Sequence, residues 1–219
     1  MAVLRVLCLH GYRQNERTFR ERAGALRKVL RGRAELIGVS APLLVSDNGP
    51  QLQGGESSSQ SDDPRGWWFS NPQKETFDAL EDSDSCQGLE ESLKVITKAF
   101  VEQGPFDGIL GFSQGAALVA MLCALKQQGD ERFQFDFAVL VAGFKSLSTV
   151  HQVFYHHPIR VPSLHVFGET DRVIPGEMSQ ELASQFIDPM ILTHKGGHFI
   201  PASAPHKKVY LEFLDKFSI

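Results

Sequence analysis

The sequence of 219 residues is poor in the features that mark disulfide-rich, zinc-binding or membrane-spanning proteins. Its only cysteines, Cys8, Cys86 and Cys123, include no Cys-x-x-Cys pair, which argues against a disulfide framework or a zinc site. No apolar run is long enough to cross a bilayer, and residues 2–9, interrupted by Arg5, lack the layout of a signal peptide. We therefore expect an intracellular, cytoplasmic protein without integral membrane association.

The excess of one sign of charge over the other is also small. The formal net charge is −4, so the composition gives no reason to expect a nucleic-acid partner. Residues 46–64 contain little apolar side-chain surface and many Ser, Gly, Gln and Asp residues, which predicts a flexible surface insertion. Because the pattern of strands and helices resumes after this stretch, we expect one domain over residues 1–219.

Short apolar runs alternate with helical patterns along the whole chain. This alternation predicts an α/β fold with a mostly parallel sheet and helices on both faces. The predicted strands, rich in Val, Leu, Ile and Phe, are residues 3–9, 35–40, 108–112, 137–141, 163–167 and 190–193. The predicted helices are residues 16–30, 88–102, 114–127, 176–185 and 206–217.

The sequence GFSQG at residues 111–115 stands between a predicted strand and an Ala-rich helical pattern. A serine in such a strand–turn–helix position projects its hydroxyl from the end of the strand, and glycines on either side let the backbone pass closely. The pattern alone is common, and the alternative is an ordinary turn in which Ser113 caps the helix. The flanking strand and helix favour Ser113 as a nucleophile, with the amide of Gln114 as an oxyanion donor.

In this kind of site an acid and a histidine follow the serine, each on a loop after a later strand. Asp171 follows the predicted strand at 163–167, and Glu169 is the alternative acid. His198 follows the next strand after two glycines, and His194 is the alternative base. We predict that Asp171 orients His198, and that His198 removes the proton of the nucleophile.

The remaining histidines do not form a pattern that indicates a metal site, so we expect no metal. His151, His156, His157 and His206 are predicted to lie on the surface. His165 alternates within a strand and is predicted to be a buried core residue.

The first predicted strand ends in the sequence LHGYRQN at residues 9–15. A His-Gly sequence at this place supplies the second oxyanion donor in hydrolases of this type. We assign the donor to the amide of Tyr12, with Arg13 as the alternative. His10 is expected to brace the loop without transferring a proton.

Four segments resemble the FSH-type serine hydrolases of the α/β-hydrolase superfamily: residues 9–15, 65–69, 108–117 and 196–201. The resemblance implies the α/β-hydrolase fold and a carboxylesterase that acts on alkyl esters with long chains, without metal or organic cofactor. The positions that match the family's triad are Ser113, Asp171 and His198.

The aromatic run Trp67-Trp68-Phe69 follows the polar stretch directly. Large apolar rings in this position either wall a pocket for an acyl chain or close the core beneath the loop, and the sequence leaves both open.

The predicted substrate is a small-molecule ester with an apolar acyl or alkyl chain. Two alternatives remain from the residues alone. A thioesterase or acyl-protein deacylase uses the same three residues, whereas a non-catalytic binding protein with a hydrolase fold has no need of all three.

Overall fold

A computed structural model describes residues 1–46 and 63–219 of the chain, so almost all of the predicted insertion at residues 46–64 lies outside the described residues. All six predicted strands are confirmed, each end lying within one residue of its predicted position. Two further short strands form between the second and third of these. The strands are β1 (Leu4–Leu9), β2 (Ala34–Val39), β3 (Leu43–Leu44), β4 (Arg65–Gly66), β5 (Gly108–Phe112), β6 (Phe137–Val141), β7 (Ser163–Gly168) and β8 (Met190–His194).

Six of these strands form one sheet in the order β2-β1-β5-β6-β7-β8, and every neighbouring pair is parallel. The strands β3 and β4 pair separately as a short antiparallel ribbon. Because parallel strands end at the same edge of a sheet, the residues that follow β1, β5, β6, β7 and β8 meet there. This edge carries the predicted site.

Helices cover both faces of the sheet, as the alternation predicted. They are α1 (Glu16–Arg22), α2 (Gly24–Val29), α3 (Leu89–Gln103), α4 (Gln114–Gln127), α5 (Gly176–Ala183) and α6 (Ala204–Asp215). A 3-10 helix over Thr149–Tyr155 was not predicted.

The prediction of one helix over residues 16–30 is wrong, because the structure divides this stretch into α1 and α2. Asn15 caps α1, and its side chain accepts a hydrogen bond from the Thr18 amide at 2.9 Å. Ala23 then leaves the helical region of φ/ψ space, with φ −88° and ψ 9°, and Gly24 begins α2.

Two apolar layers hold the helices to the sheet. On one face, side chains of β1 and β5 pack against α3, α4 and α5, and α4 is buried from Gln114 to Ala124. On the other face, alternate side chains of the same strands pack against α1, α2 and α6. Strands that are buried on both faces explain the continuous apolar runs of the sequence.

Candidate active site

The turn after β5 holds Ser113 in a strained backbone conformation. Its φ is 56° and its ψ is −116°, a region that residues other than glycine rarely adopt. The Ser113 amide donates to the Val141 carbonyl at 2.9 Å, which ties the turn to the end of β6. The structure therefore builds the strand–turn–helix geometry that the sequence predicts around Ser113.

The two glycines of the turn are required by close backbone approach. A Cβ atom added at Gly111 would lie 2.4 Å from the Gly115 carbonyl oxygen. A Cβ atom added at Gly115 would lie 2.1 Å from the Leu9 carbonyl oxygen at the end of β1. Any side chain at either position would push the start of α4 away from the sheet.

Asp171 lies on the loop after β7, with its side chain buried. Its Oδ1 accepts hydrogen bonds from the amides of Val173 and Ile174, both at 2.9 Å. Its Oδ2 lies 2.8 Å from Nδ1 of His198. Two backbone donors thus fix the carboxylate, and the remaining oxygen is directed to the imidazole.

His198 lies on the loop after β8, as predicted. Because the Asp171 carboxylate accepts from Nδ1, the neutral imidazole carries its proton there and presents Nε2 as a base. The ring packs on Phe112, the residue before Ser113, with 4.7 Å between ring centroids. Within the described residues the imidazole makes no direct hydrogen bond to the Ser113 hydroxyl, a bond that commonly tightens only when substrate binds.

The loops that carry these two residues are joined by backbone hydrogen bonds. The Glu169 amide donates to the His194 carbonyl at 2.8 Å, and the Thr170 amide donates to the Gly196 carbonyl at 3.1 Å. A Cβ atom at Gly168 would lie 2.3 Å from the Gly196 oxygen, so the loops touch at this glycine. This contact sets the relative position of Asp171 and His198.

The alternative acid and base occupy other places. The Glu169 side chain is exposed to solvent. His194 is the last residue of β8, and its Nδ1 accepts from the Gly196 amide at 3.2 Å while its ring packs on Phe199. The geometry therefore favours Asp171 and His198 over Glu169 and His194.

His10 braces the loop after β1. Its Nε2 accepts from the Ala41 amide at 2.9 Å, so Nδ1 carries the proton and donates to the Gly11 carbonyl at 2.8 Å. Burial lowers the pKa of His10 to about 4, which keeps the ring neutral. With both nitrogens engaged, this side chain has no part in proton transfer.

One of the two candidate amides of the same loop is committed to a backbone hydrogen bond. The Arg13 amide donates to the Arg65 carbonyl at 2.8 Å and is not available to an oxyanion. This bond leaves Tyr12 as the better candidate on this loop. The other predicted oxyanion donor is the amide of Gln114. It belongs to the first residue of α4, where helix N–H groups lack intrahelical partners.

The Gln114 side chain has a role that the sequence analysis missed. Its Oε1 accepts from the Trp67 amide at 2.8 Å, and its Nε2 donates to the Trp68 carbonyl at 2.9 Å. Trp67 in turn donates from Nε1 to the His10 carbonyl at 2.8 Å. One glutamine therefore fixes the backbone of the tryptophan pair beside Ser113.

The three aromatic residues of the run are all buried, with Trp67 and Trp68 fully inaccessible. Trp67 belongs to the core, and its indole N–H is bonded as described above. Trp68 packs edge-on against the rings of Phe77 and His151, with centroid distances of 5.2 and 5.6 Å. Phe69 pairs through its backbone with Gln87.

Five rings meet beside the carboxyl edge of the sheet, and we call them the aromatic cluster. Phe77 is its centre: it contacts the rings of three other members at 5.2 to 5.9 Å. Its members are Tyr12, Trp68, Phe77, Phe144 and His151. The cluster begins at the candidate oxyanion loop, which carries Tyr12.

The prediction that His151 lies on the surface is wrong, because its side chain is 2% exposed. It belongs to the 3-10 helix, and its Nδ1 lies 2.7 Å from the Ser146 hydroxyl. Burial lowers the pKa of His151 to about 4. The helix turns this residue inward while its neighbour Val150 stays exposed.

The other histidines lie where they were predicted. His156 and His157 are exposed, and His206 is partly exposed. His165 is buried in β7, with Nε2 at 2.9 Å from the Ser163 hydroxyl. Within residues 1–46 and 63–219 there is no group of three or more His, Cys, Asp and Glu residues with the geometry of a metal site, and no helix long and apolar enough to cross a membrane.

Comparison with known proteins supports, independently of the site geometry, the assignment of this chain to a family of serine hydrolases. Residues 1–210 match the family model described as serine hydrolase (FSH1). The chain is 68% identical to Esterase OVCA2 of Xenopus tropicalis over 98% of this chain and 94% of that protein. It is 53% identical to the human Esterase OVCA2 over 98% of this chain and 97% of that protein.

Solved structures of other hydrolases share the fold. The crystal structure of esterase PE8 superposes with a TM-score of 0.65 at 18% identity, over 99% of this chain and 94% of that one. Zea mays acyl-protein thioesterase 2 superposes with a TM-score of 0.64 at 18% identity, over 98% of this chain and 95% of that one. The fold is that of the α/β-hydrolases, and the chain belongs to the FSH1 family of serine hydrolases.

Proposed function

We propose that the protein is a carboxylesterase that hydrolyses alkyl esters with long chains. The observation that carries this proposal is the strained Ser113 turn, beside which the Asp171–His198 pair lies on the Phe112 ring. The aromatic cluster supports a substrate with an apolar chain, since its rings extend from the candidate oxyanion loop.

The proposed reaction proceeds through an acyl-enzyme. Ser113 Oγ attacks the ester carbonyl while Nε2 of His198 takes the hydroxyl proton, and Asp171 stabilises the imidazolium. The amides of Tyr12 and Gln114 donate to the oxyanion of the tetrahedral intermediate. His198 then protonates the leaving alcohol, and a water molecule, activated by the same imidazole, releases the acid and regenerates Ser113.

A fluorophosphonate probe, which labels only activated serines, tests the mechanism. We expect the wild-type protein to be labelled and the Ser113→Ala variant to remain unlabelled. Ser184→Ala is a matched control, since the hydroxyl of this exposed serine donates to the Glu181 carbonyl, and it should be labelled like the wild type. Equal labelling of Ser113→Ala and wild type would exclude Ser113 as the nucleophile.

The substrate class needs a separate measurement. We expect kcat/KM for p-nitrophenyl esters to rise with acyl chain length, because each buried methylene adds about 0.8 kcal/mol of transfer free energy. Matched thioesters of the same chains provide the comparison with thioesterase activity. Faster turnover of every thioester than of its ester would replace the carboxylesterase assignment with a thioesterase one.

A further inference from the structure

The aromatic cluster contains two buried nitrogen atoms without hydrogen-bond partners in the described part of the chain: Nε1 of Trp68 and Nε2 of His151. Both side chains are at least 98% buried, so water does not reach these atoms freely. Polar atoms in such surroundings almost always have a partner. The two rings are neighbours, 5.6 Å apart between centroids and nearly perpendicular.

The hydrogen bonds of Ser146 favour the tautomer in which His151 Nε2 is a donor. Ser146 Oγ accepts from the Ser148 amide at 3.2 Å, and the only acceptor near its own proton, among the described residues, is Nδ1 of His151 at 2.7 Å. If the hydroxyl donates to Nδ1, the single proton of the neutral ring is on Nε2. Trp68 Nε1 is always a donor. In this tautomer the cluster contains two buried N–H groups that lack an acceptor among residues 1–46 and 63–219.

The residue that carries one of these donors, Trp68, is tied through its backbone to the proposed reaction centre. The Trp68 carbonyl accepts from the Gln114 side chain at 2.9 Å, and the backbone of Gln114 follows the nucleophile directly. Phe77 lies between Trp68 and Tyr12, with 5.2 and 5.3 Å between the ring centroids. Phe77 is partly exposed and contacts Trp68 edge-on, so a route from the oxyanion loop to the donors requires that this ring turns aside.

We propose that the acyl chain of the substrate enters beneath Phe77 and carries an oxygen atom that accepts a hydrogen bond from Trp68 Nε1–H, His151 Nε2–H or both. The substrate class is therefore an ester whose acyl chain bears a carbonyl or hydroxyl oxygen at a fixed distance from the scissile bond. This inference rests on the proposed function, because that bond is the one that Ser113 attacks. A plain hydrocarbon chain leaves both donors unsatisfied, and a site with buried polar groups discriminates against such an analogue.

A series of p-nitrophenyl oxododecanoates, with the ketone at successive carbons, tests the proposal against p-nitrophenyl dodecanoate. We expect kcat/KM to peak at one ketone position, at about tenfold or more above the plain chain. Hydroxydodecanoates with the oxygen at the same carbon show whether a hydroxyl serves equally. A flat profile, in which no position exceeds the plain chain, would overturn the proposal.

Variants show which donor is used. Trp68→Phe and His151→Phe each remove an N–H group while keeping an aromatic ring, and at least one of them should reduce the ketone-to-plain ratio of kcat/KM to about one. Trp67→Phe is the matched control, because its indole N–H already bonds to the His10 carbonyl. This control lowers kcat/KM for both substrates but keeps their ratio. A ratio that survives in both Trp68→Phe and His151→Phe contradicts the proposal.

Binding separates this inference from the proposed function. Calorimetric titration of the Ser113→Ala variant with dodecanamide and with the preferred oxododecanamide measures the pocket without catalysis. We expect the oxo ligand to bind about tenfold more tightly. If the wild type hydrolyses no ester but this preference persists, the carboxylesterase proposal fails and the pocket proposal stands. Equal affinities for all the amides refute the pocket proposal.

Discussion

The two sides of Ser113 differ in how completely their polar atoms are bonded. On the acid–base side, Asp171 uses both carboxylate oxygens, with two backbone amides on one and His198 on the other. On the side of the aromatic cluster, Trp68 and His151 each keep a buried nitrogen without a partner within the described residues. The same edge of the sheet thus contains a completed hydrogen-bond network and an incomplete one.

This difference separates preorganised chemistry from recognition. A catalytic pair works best when its geometry is fixed before the substrate arrives, and the backbone bonds to Asp171 provide this. A recognition site gains selectivity when its polar groups are satisfied only by the correct ligand. Three experiments with substituted proteins test this contrast.

The largest effect is expected on the completed side. In Asp171→Asn the amide no longer fixes the Nδ1–H tautomer of His198, and kcat should fall about 10⁴-fold. Glu169→Gln, at an exposed position of the same loop, is the control and should stay within about twofold of wild type. Steady-state kinetics on one ester measure both. A larger loss in Glu169→Gln would reassign the acid.

Low pH should decrease the free energy of unfolding, an effect of intermediate size. Burial lowers the pKa of both His10 and His151 from 6.5 to about 4. Between these pH values the unfolded chain binds more protons than the folded one, so the free energy of unfolding falls as the pH decreases from about 6.5 to about 4. Each histidine contributes up to about 3 kcal/mol to this loss.

Urea unfolding at pH 7 and at pH 4.5 measures this loss of stability. His10→Gln and His151→Gln should each reduce the difference between the two pH values, whereas the exposed His156→Gln should leave it unchanged. His10 accepts a bond from the Ala41 amide at the nitrogen that would gain the proton. If His10→Gln loses as much unfolding free energy between pH 7 and pH 4.5 as the wild type does, protonation of His10 is not a cause of the acid destabilisation.

The smallest effect distinguishes the adjacent tryptophans. Trp67→Phe loses the bond from Nε1 to the His10 carbonyl and leaves that buried oxygen without it, whereas Trp68→Phe loses no bond among the described residues. The free energy of unfolding should therefore decrease more in Trp67→Phe, by about 1 kcal/mol. Urea titration of both proteins checks this difference. The reverse order would show that Trp68 Nε1 has a partner in the unliganded protein.

Much of the frame of the site could be predicted from the sequence, because its signals are local. Each strand of the sheet is a continuous apolar run, and Ser113 stands between two glycines. Gly111 is required by the nearby carbonyl of Gly115, and Gly115 by the nearby carbonyl of Leu9. The order of strands in the chain was enough to place Asp171 and His198 on loops that touch. Gly24, within the predicted helix over residues 16–30, is a residue that disfavours a continuous helix. The apolar pattern of the stretch nevertheless led to the prediction of one helix.

The aromatic side could not be predicted, because its contacts join residues that are far apart in the chain. Trp67 and Trp68 are the same residue type at neighbouring positions. Their indoles differ because the N–H group of Trp67 donates to the His10 carbonyl. His151 is buried because a 3-10 helix turns it toward Trp68 and Ser146. A helix this short has no periodic pattern of apolar residues from which it could be predicted. Such roles depend on the tertiary structure.

For the proposed reaction, we expect the side chain of Gln114 to make rate and selectivity dependent on each other. The residue whose amide is proposed to stabilise the oxyanion also holds the backbone on which Trp68 is mounted. A chain that displaces Trp68 by a fraction of an ångström pulls on the residue that follows Ser113. Poorly fitting substrates should consequently be penalised in kcat as well as in KM, so that recognition of the chain is expressed in the chemical step.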